Sequence, residues 1–581
     1  MMMKAVPWRN GGTGRRTRLK IWRSSLFVWV RPPLPPPLTV SKISPAHRRP
    51  FPPKLFPRLV TDIERRIRSF GYLEQVLTGS AVLILILTIQ TACGAWQADF
   101  NKHPDESGQF VTGLLFFDYF KALPSGNPVD WGLRYYLHYP RVGLSRWPPG
   151  FAIMESLWWM LFSPSRVSTL LLEGACTWTA SMIVFRLARR TAGLGLALAA
   201  TALMVCSPVV SASYSSCMAD APCLLAGAAL LDATVRLLAQ PSFRLVLWTG
   251  FWLLFAASIK GTGLLLLPAP IFCIAMVGES RLLRSRWIVG TGCALVAVVA
   301  YISMALPATM IRFVRDVAGI GFDSPWSIQQ LVSFGGYGVC VLAVLGFIAT
   351  LFADRGRASH EALAASAFLL SVSSGSFFVR AMKEHRHWMI LFPALVLLCL
   401  VPLCHPRIPP RVRAALGLAA ICLFPFRIPV LHHYGFASFV AQVHTPGRIL
   451  VAGNGDIEGP WIAAVAAAEH RPSSFVIRGT KAFASMDWNG DYYQLLVDTP
   501  TGIENRLDQF RVDTVVVGMI PGLPLPQHLQ LLNSLMATSP VWRSCAKSGI
   551  FEAWCRVRAP QLKAKPLRID LRASIGRIVT E

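Results

Sequence analysis

The chain of 581 residues is 53% hydrophobic and only 15% charged, a balance outside the range of soluble domains and suited to a protein that crosses a membrane many times. Its formal charge of +27 does not argue for nucleic acid, because a nucleic-acid binder gathers its cations on one folded face. Here they lie in short pieces between apolar runs, so the lipid bilayer is the expected partner and nucleic acid is not.

Residues 1–75 form the first segment. Between Lys4 and Arg68 stand sixteen Lys or Arg against two acids, Asp62 and Glu64. RPPLPPPL and GGTGRR cannot bury enough apolar surface to offset the entropy of ordering them. The segment therefore reads as a basic, Pro/Arg-rich disordered tail on the cytoplasmic side, or as the result of a start codon assigned too early. LFVWV is too short for the core of a signal peptide.

About 20 apolar residues cross a bilayer as a helix. That length predicts eleven spans within a 76–430 membrane domain, near 76–98, 166–187, 193–214, 221–239, 245–259, 262–278, 287–306, 331–352, 361–379, 388–403 and 411–430. A large outer loop, 97–165, separates the first two. Within it GFAIMESLWWMLF (150–162) is too short to span and reads as an interfacial helix, its Trp158-Trp159 pair suited to the headgroup zone. With the tail inside, the basic loops at RLARR, Arg244, Arg281, Arg355 and Arg407 all fall on the cytoplasmic side.

From 431 to 560 the pattern changes. RILVAG, SFVIRG and DTVVVG are short β-rich runs separated by helix-like stretches, which predicts a small C-terminal α/β domain outside the cytoplasm. A basic tail, 561–581, closes the chain. Thirteen cysteines include no C-x-x-C pair, so core packing is their expected role. Cys217/Cys223 and Cys545/Cys555 are candidate disulfides, because they fall on the predicted outer side.

This topology gathers Asp105, Glu106, Tyr135, Tyr136, His138, Arg146, Asp220, Arg380, Lys383, His385, Arg386 and His387 at one membrane boundary. The plain reading of Asp105 and Glu106 is that they cap the following helix and complement its dipole. Arg380 and Lys383 also suit snorkelling to headgroups, and Asp220 suits a helix start. Lys260 sits in apolar surroundings, where an unpaired cation is costly and a functional role is the default. His138 and His387 have no second ligand at a metal spacing, so neither a divalent metal nor another cofactor is expected.

Five motifs in order give these residues a context: HPDESGQF, YLHYPRVGLSRWPPGF, MADAP, SIKGTGLLLLPAP and RHWMILFPALVLL. Over residues 76–430 their sequence resembles the C-type superfamily of membrane glycosyltransferases. It is most similar to the family 39-like branch of protein O-mannosyltransferases and lipid A aminoarabinose transferases. The resemblance implies transfer of a single sugar from a polyprenyl-phosphate donor, a lipid-linked substrate, to a glycan, lipid or protein acceptor outside the cytoplasm, in a bacterial inner membrane. Asp105 would be the general base with Glu106 beside it, and Arg386, Lys383, Arg380, Arg146 and Lys260 would bind the donor phosphate. Asp220, Tyr136, His138 and Trp147 would contact substrate. The chain departs from the pattern at Arg146-Trp147, where the lipid A enzymes have a lysine before the proline, and at Asp-Ala-Pro in the small loop.

Other readings stay open. A transporter or lipid flippase would pair charges at mid-bilayer and show related halves, and a non-catalytic scaffold would use the α/β domain to bind partners. AGNGDIEG, with Gly453, Gly455 and Gly459, is one residue too long for a dinucleotide loop and reads as a turn before a helix. Trp488, Asp491 and Tyr492 belong to an ordinary loop or a sugar-stacking one.

Overall fold

In a computed structural model the described residues are 55–100, 103–123, 126–143, 147–278, 292, 328–353, 358–376, 384–443, 446–469, 472–485, 493–558, 566–570 and 577–580. Arg146, Arg380, Lys383, Trp488, Asp491, Tyr492 and, apart from residue 292, the predicted span 287–306 lie outside them. The first helix runs Leu55–Ala92, beginning inside the segment expected to be tail, and its apolar part is Gly71–Ala92. Residues Phe70–Glu581 form one compact unit.

Four described helices are long and apolar enough to cross a membrane: Gly71–Ala92, Arg166–Thr191, Asp220–Ala239 and His385–Cys404. The predicted span 193–214 is instead a bent pair, Leu194–Cys206 and Pro208–Tyr214, with axes 62° apart. Pro208 causes the break, since proline has no N–H to donate and forces Ser207 out of helical geometry. The apolar run 411–430 gives only the helix Pro410–Cys422, about 20 Å long at 1.5 Å per residue and short of a ~30 Å hydrocarbon core. Pro425 and Pro429 explain its early end, and the expectation of a full span there is corrected.

The span His385–Cys404 is the most enclosed of the late helices, because glycines let its neighbours close on it. A side chain at Gly227 would stand 2.5 Å from the Ile390 carbonyl, and one at Gly346 would stand 2.0 Å from that of Leu398. Small residues permit this kind of backbone approach between membrane helices. The result is a fixed axis whose N-terminal end carries Arg386.

Residues 448–556 contain a five-stranded sheet. Its strands are β1 (Arg448–Gly453), β2 (Phe475–Arg478), β3 (Thr514–Gly518), β4 (Trp542–Ser548) and β5 (Phe551–Arg556). The order is β2-β1-β3-β5-β4. The first three strands are parallel, with Val451 opposite Arg478 and Val516, and β5 and β4 add an antiparallel hairpin. One face packs Leu450, Val515 and Val517 on Ile503, Leu507, Leu529 and Leu532. The other shares a core with the segment 97–165, in which Phe110, Tyr135 and Trp159 join Phe439, Trp461 and Phe551. The sheet is thus built onto the loop that carries the acidic motif.

Cys545 and Cys555 are disulfide-bonded across the β4–β5 hairpin. Cys217 and Cys223 are not bonded to each other, which corrects that expectation. Both are buried, and the start of the helix Asp220–Ala239 falls between them. The Cys217 backbone is held by Glu106, while the Cys223 thiol lies 4.0 Å from the Thr262 hydroxyl.

Candidate active site

The acidic motif opens the helix Pro104–Ala122. His103 is its N-cap, with Nδ1 accepting the Asp105 backbone N–H at 3.1 Å, and Pro104 fills the first helical position. Proline is favoured there because that N–H has no partner in a helix. The capping role expected of Asp105 is therefore taken by His103, which leaves the Asp105 carboxylate free for other contacts.

Successive helical residues point about 100° apart, and the two acids meet different partners. Glu106 turns inward, fully buried, accepting from Arg166 Nη2 at 3.1 Å and from the Cys217 N–H at 3.0 Å. Asp105 turns to Arg386, whose Nη2 donates to Oδ2 at 2.8 Å. The other oxygen of Asp105, Oδ1, is buried without a hydrogen-bond partner.

Arg386 also pairs with Glu384 and stands 3.8 Å from Asp220. Asp220, buried at the head of its helix, is held by Lys260. Lys260 reaches it because the helix Phe243–Ile259 stops one residue earlier and Lys260 itself is extended, with φ −149° and ψ 141°. Glu384 is kept well below the usual carboxylate range by a hydrogen bond with His103 and then by Arg386. Four distant parts of the chain thus meet in one ionic network.

The structure adds residues that sequence reasoning missed. Arg141 is buried, donating from Nε to Ser107 Oγ at 3.1 Å and from Nη2 to the Pro104 carbonyl, and it stands 3.8 Å from Asp456 Oδ1. It therefore clamps the turn that carries Asp105. Arg166, Glu384 and Asp456 were missed as well. The available signal was a cation or acid close to an apolar run, and Arg141 lies within the quoted YLHYPRVG motif.

The remaining expected residues are dispersed. Trp147 lies against Gly108, one turn beyond Asp105, and against Gly143. Tyr136 is buried near Arg478 and Arg141, and burial raises its pKa. His138 stacks on Phe475 at 4.1 Å and its Nδ1 lies 2.8 Å from the Ser474 carbonyl, so it faces the sheet; burial lowers its pKa. AGNGDIEG forms a turn with Gly455 at φ +61°, followed by the helix Glu458–Ala468. Burial also raises the Asp456 pKa, against the opposing pull of Arg141 and Arg478. Among the described residues no three His, Cys, Asp or Glu side chains come together to hold a metal ion.

Glu155, on the helix Gly150–Leu161, is fully buried. It accepts from the Thr169 hydroxyl at 2.8 Å while its other oxygen has no partner. Burial raises its pKa well above the ordinary range. A carboxyl of this kind favours the fold most below its unfolded pKa of about 4.3, and that contribution is lost as pH rises through the raised folded value. Glu155→Gln is expected to flatten this dependence. Melting of the variant in nanodiscs from about pH 5 to about pH 8 should vary less than that of wild type, and an equal slope would show that Glu155 is ionised throughout.

The family model described as dolichyl-phosphate-mannose-protein mannosyltransferase matches residues 146–304. Among solved structures, ArnT from Cupriavidus metallidurans bound to undecaprenyl phosphate is similar at 12% identity and a TM-score of 0.56, over 84% of this chain and 99% of that one. The archaeal oligosaccharyltransferase AglB from Archaeoglobus fulgidus, in complex with an inhibitory peptide and a dolichol-phosphate, aligns at 11% identity and a TM-score of 0.47. That alignment covers 76% of this chain and 69% of AglB. No curated protein sequence matches the chain.

Proposed function

We propose that the chain, whose residues 146–304 match the mannosyltransferase family model and whose fold is similar to that of ArnT, is a membrane glycosyltransferase that transfers one sugar from a polyprenyl-phosphate donor to an acceptor hydroxyl outside the cytoplasm, in a bacterial inner membrane. The donor class is supported by ArnT, which was solved bound to undecaprenyl phosphate. The observation that carries the reading is Asp105 itself. Its Oδ2 is fixed by Arg386 at 2.8 Å, and its Oδ1 is buried with no donor.

The step balances as follows. The acceptor oxygen attacks the anomeric carbon and its proton passes to Asp105 Oδ1, the general base. The bond from that carbon to the phosphate oxygen breaks, and the electron pair leaves with polyprenyl phosphate. A single displacement of this kind inverts the configuration. Arg386 keeps the carboxylate aimed, while Lys260 holds Asp220 and Asp220 in turn steadies Arg386. Glu106 positions the turn through Arg166.

Arg386 and Lys260 face three carboxylates, Asp105, Asp220 and Glu384, so this network has no surplus positive charge for a phosphate. We assign that task to Arg380 and Lys383, close before Arg386 in sequence, and to Arg146. Arginine grips phosphate bidentately.

The test is reconstitution. Wild-type protein in nanodiscs, given polyprenyl phosphates carrying labelled hexoses or pentoses together with envelope extract, is expected to move label into the extract and to release polyprenyl phosphate. A flippase would relocate the lipid without breaking that bond. If no donor in the panel is consumed, the proposal fails.

A further inference from the structure

The loop after β1 does more than join a strand to a helix. In the order β2-β1-β3 the chain leaves β1 to one side and later returns on the other, and ligands of open α/β sheets bind beyond the carboxyl ends of strands at such a reversal. Asn454 ties the two strand ends together. Its side chain donates to the Ile520 and Leu523 carbonyls at 3.0 and 3.2 Å and accepts the Ile520 N–H at 2.6 Å. The turn that follows is therefore fixed, and it carries Asp456.

That turn is pressed against the acidic motif. A side chain at Gly459 would stand 2.6 Å from Ser107 Oγ and 3.1 Å from Arg141 Nε, so any larger residue would have to displace the Ser107 hydroxyl. Arg141 lies between the two carboxylates: it holds the Pro104 carbonyl, next to Asp105, and stands 3.8 Å from Asp456. Across Asp105, Ser107, Arg141 and Asp456, the two buried polar atoms with no hydrogen-bond partner are both carboxylate oxygens, Asp105 Oδ1 and Asp456 Oδ2. Neighbouring Glu458 is fully engaged by Arg478 and Thr480. The Asp456 side chain keeps 26% of its surface exposed, so the group borders solvent although Oδ2 itself is covered.

We infer that the acceptor is a polyhydroxylated glycan, and that Asp456 accepts a hydrogen bond from a second hydroxyl of the acceptor whose first hydroxyl is deprotonated by Asp105. The inference rests on the transferase reading above and adds the acceptor class. Both open positions call for hydrogen-bond donors. A peptide would bring a carbonyl with every N–H, whereas a sugar hydroxyl donates outward and has its own neighbours to satisfy the rest. An ammonium group is not called for, because Arg141 and Arg478 already oppose the charge of Asp456.

The test uses full-length protein in nanodiscs with the same labelled donors. Two acceptor fractions are prepared from a host strain lacking the chain, envelope glycan and envelope protein. Wild type is expected to label the glycan fraction through a linkage that survives mild alkaline β-elimination. Asp456→Asn is expected to raise KM for that fraction by about tenfold or more, the scale of one charge-assisted hydrogen bond. KM for the donor and the melting temperature should stay at wild-type values, which separates a lost contact from a damaged fold. Label in the protein fraction that alkali releases would overturn the inference, as would an unchanged acceptor KM in a folded Asp456→Asn protein. Failure of wild type to transfer to either fraction would instead sink the transferase reading on which it rests.

Discussion

Asp105→Asn is expected to leave a folded, membrane-inserted protein whose sugar transfer falls by about 10³-fold, within the range for loss of a general base. The substitution preserves the shape of the side chain, and its amide oxygen still accepts from Arg386. What disappears is the proton-accepting power of Oδ1, the oxygen that is buried without a donor. The drop should therefore appear in kcat, with little change in KM for the donor. Transfer at the wild-type rate by a well-expressed Asp105→Asn protein would remove Asp105 from the chemistry.

Arg386→Ala is expected to do damage of two kinds. Its side chain is 13% exposed and serves Asp105, Asp220 and Glu384 together. Removing one partner of a buried ion pair typically costs about 3–5 kcal/mol, because charge is left without compensation. Activity should fall by a further factor of about 10² or more, since Asp105 loses the cation that aims it. Arg386→Lys separates the two effects. Lysine restores a charge but not the planar fork, so it should recover much of the melting temperature and little of the rate. Equal rescue of both would mean that Arg386 supplies charge alone.

The sequence makes the membrane architecture readable where a long apolar run keeps proline out of the helix interior, as at Arg166–Thr191, or confines it to the first turn, as Pro222 in Asp220–Ala239. It misleads at 411–430, where hydrophobicity persists but Pro425 and Pro429 prevent a helix from continuing. The meeting of two distant motifs was legible too. HPDESGQF and RHWMILFP were assigned to one boundary, and Asp105 and Arg386 meet at 2.8 Å.

Helix phase was less accessible. Asp105 and Glu106 are adjacent acids with nothing local to distinguish them, and only the rotation of the helix sends one to Arg386 and the other to Arg166. Arg141 and Asp456 were hidden for a different reason. Each looks like an ordinary loop residue, and they come together only because the sheet packs against the segment 97–165. The proposed Cys217–Cys223 bridge failed on the same kind of information, since proximity in sequence says nothing about which way a new helix turns its thiol.

Asp105 and Arg386 are 281 residues apart. At roughly 5–20 residues per second, the carboxylate leaves the ribosome tens of seconds before its counter-ion is made, and the Asp456 turn follows later still. A stalled or truncated translation product that ends before Arg386 carries Asp105 without the arginine that pairs with it. On the proposed reading, the site is therefore complete only after the chain has been made past Asp456.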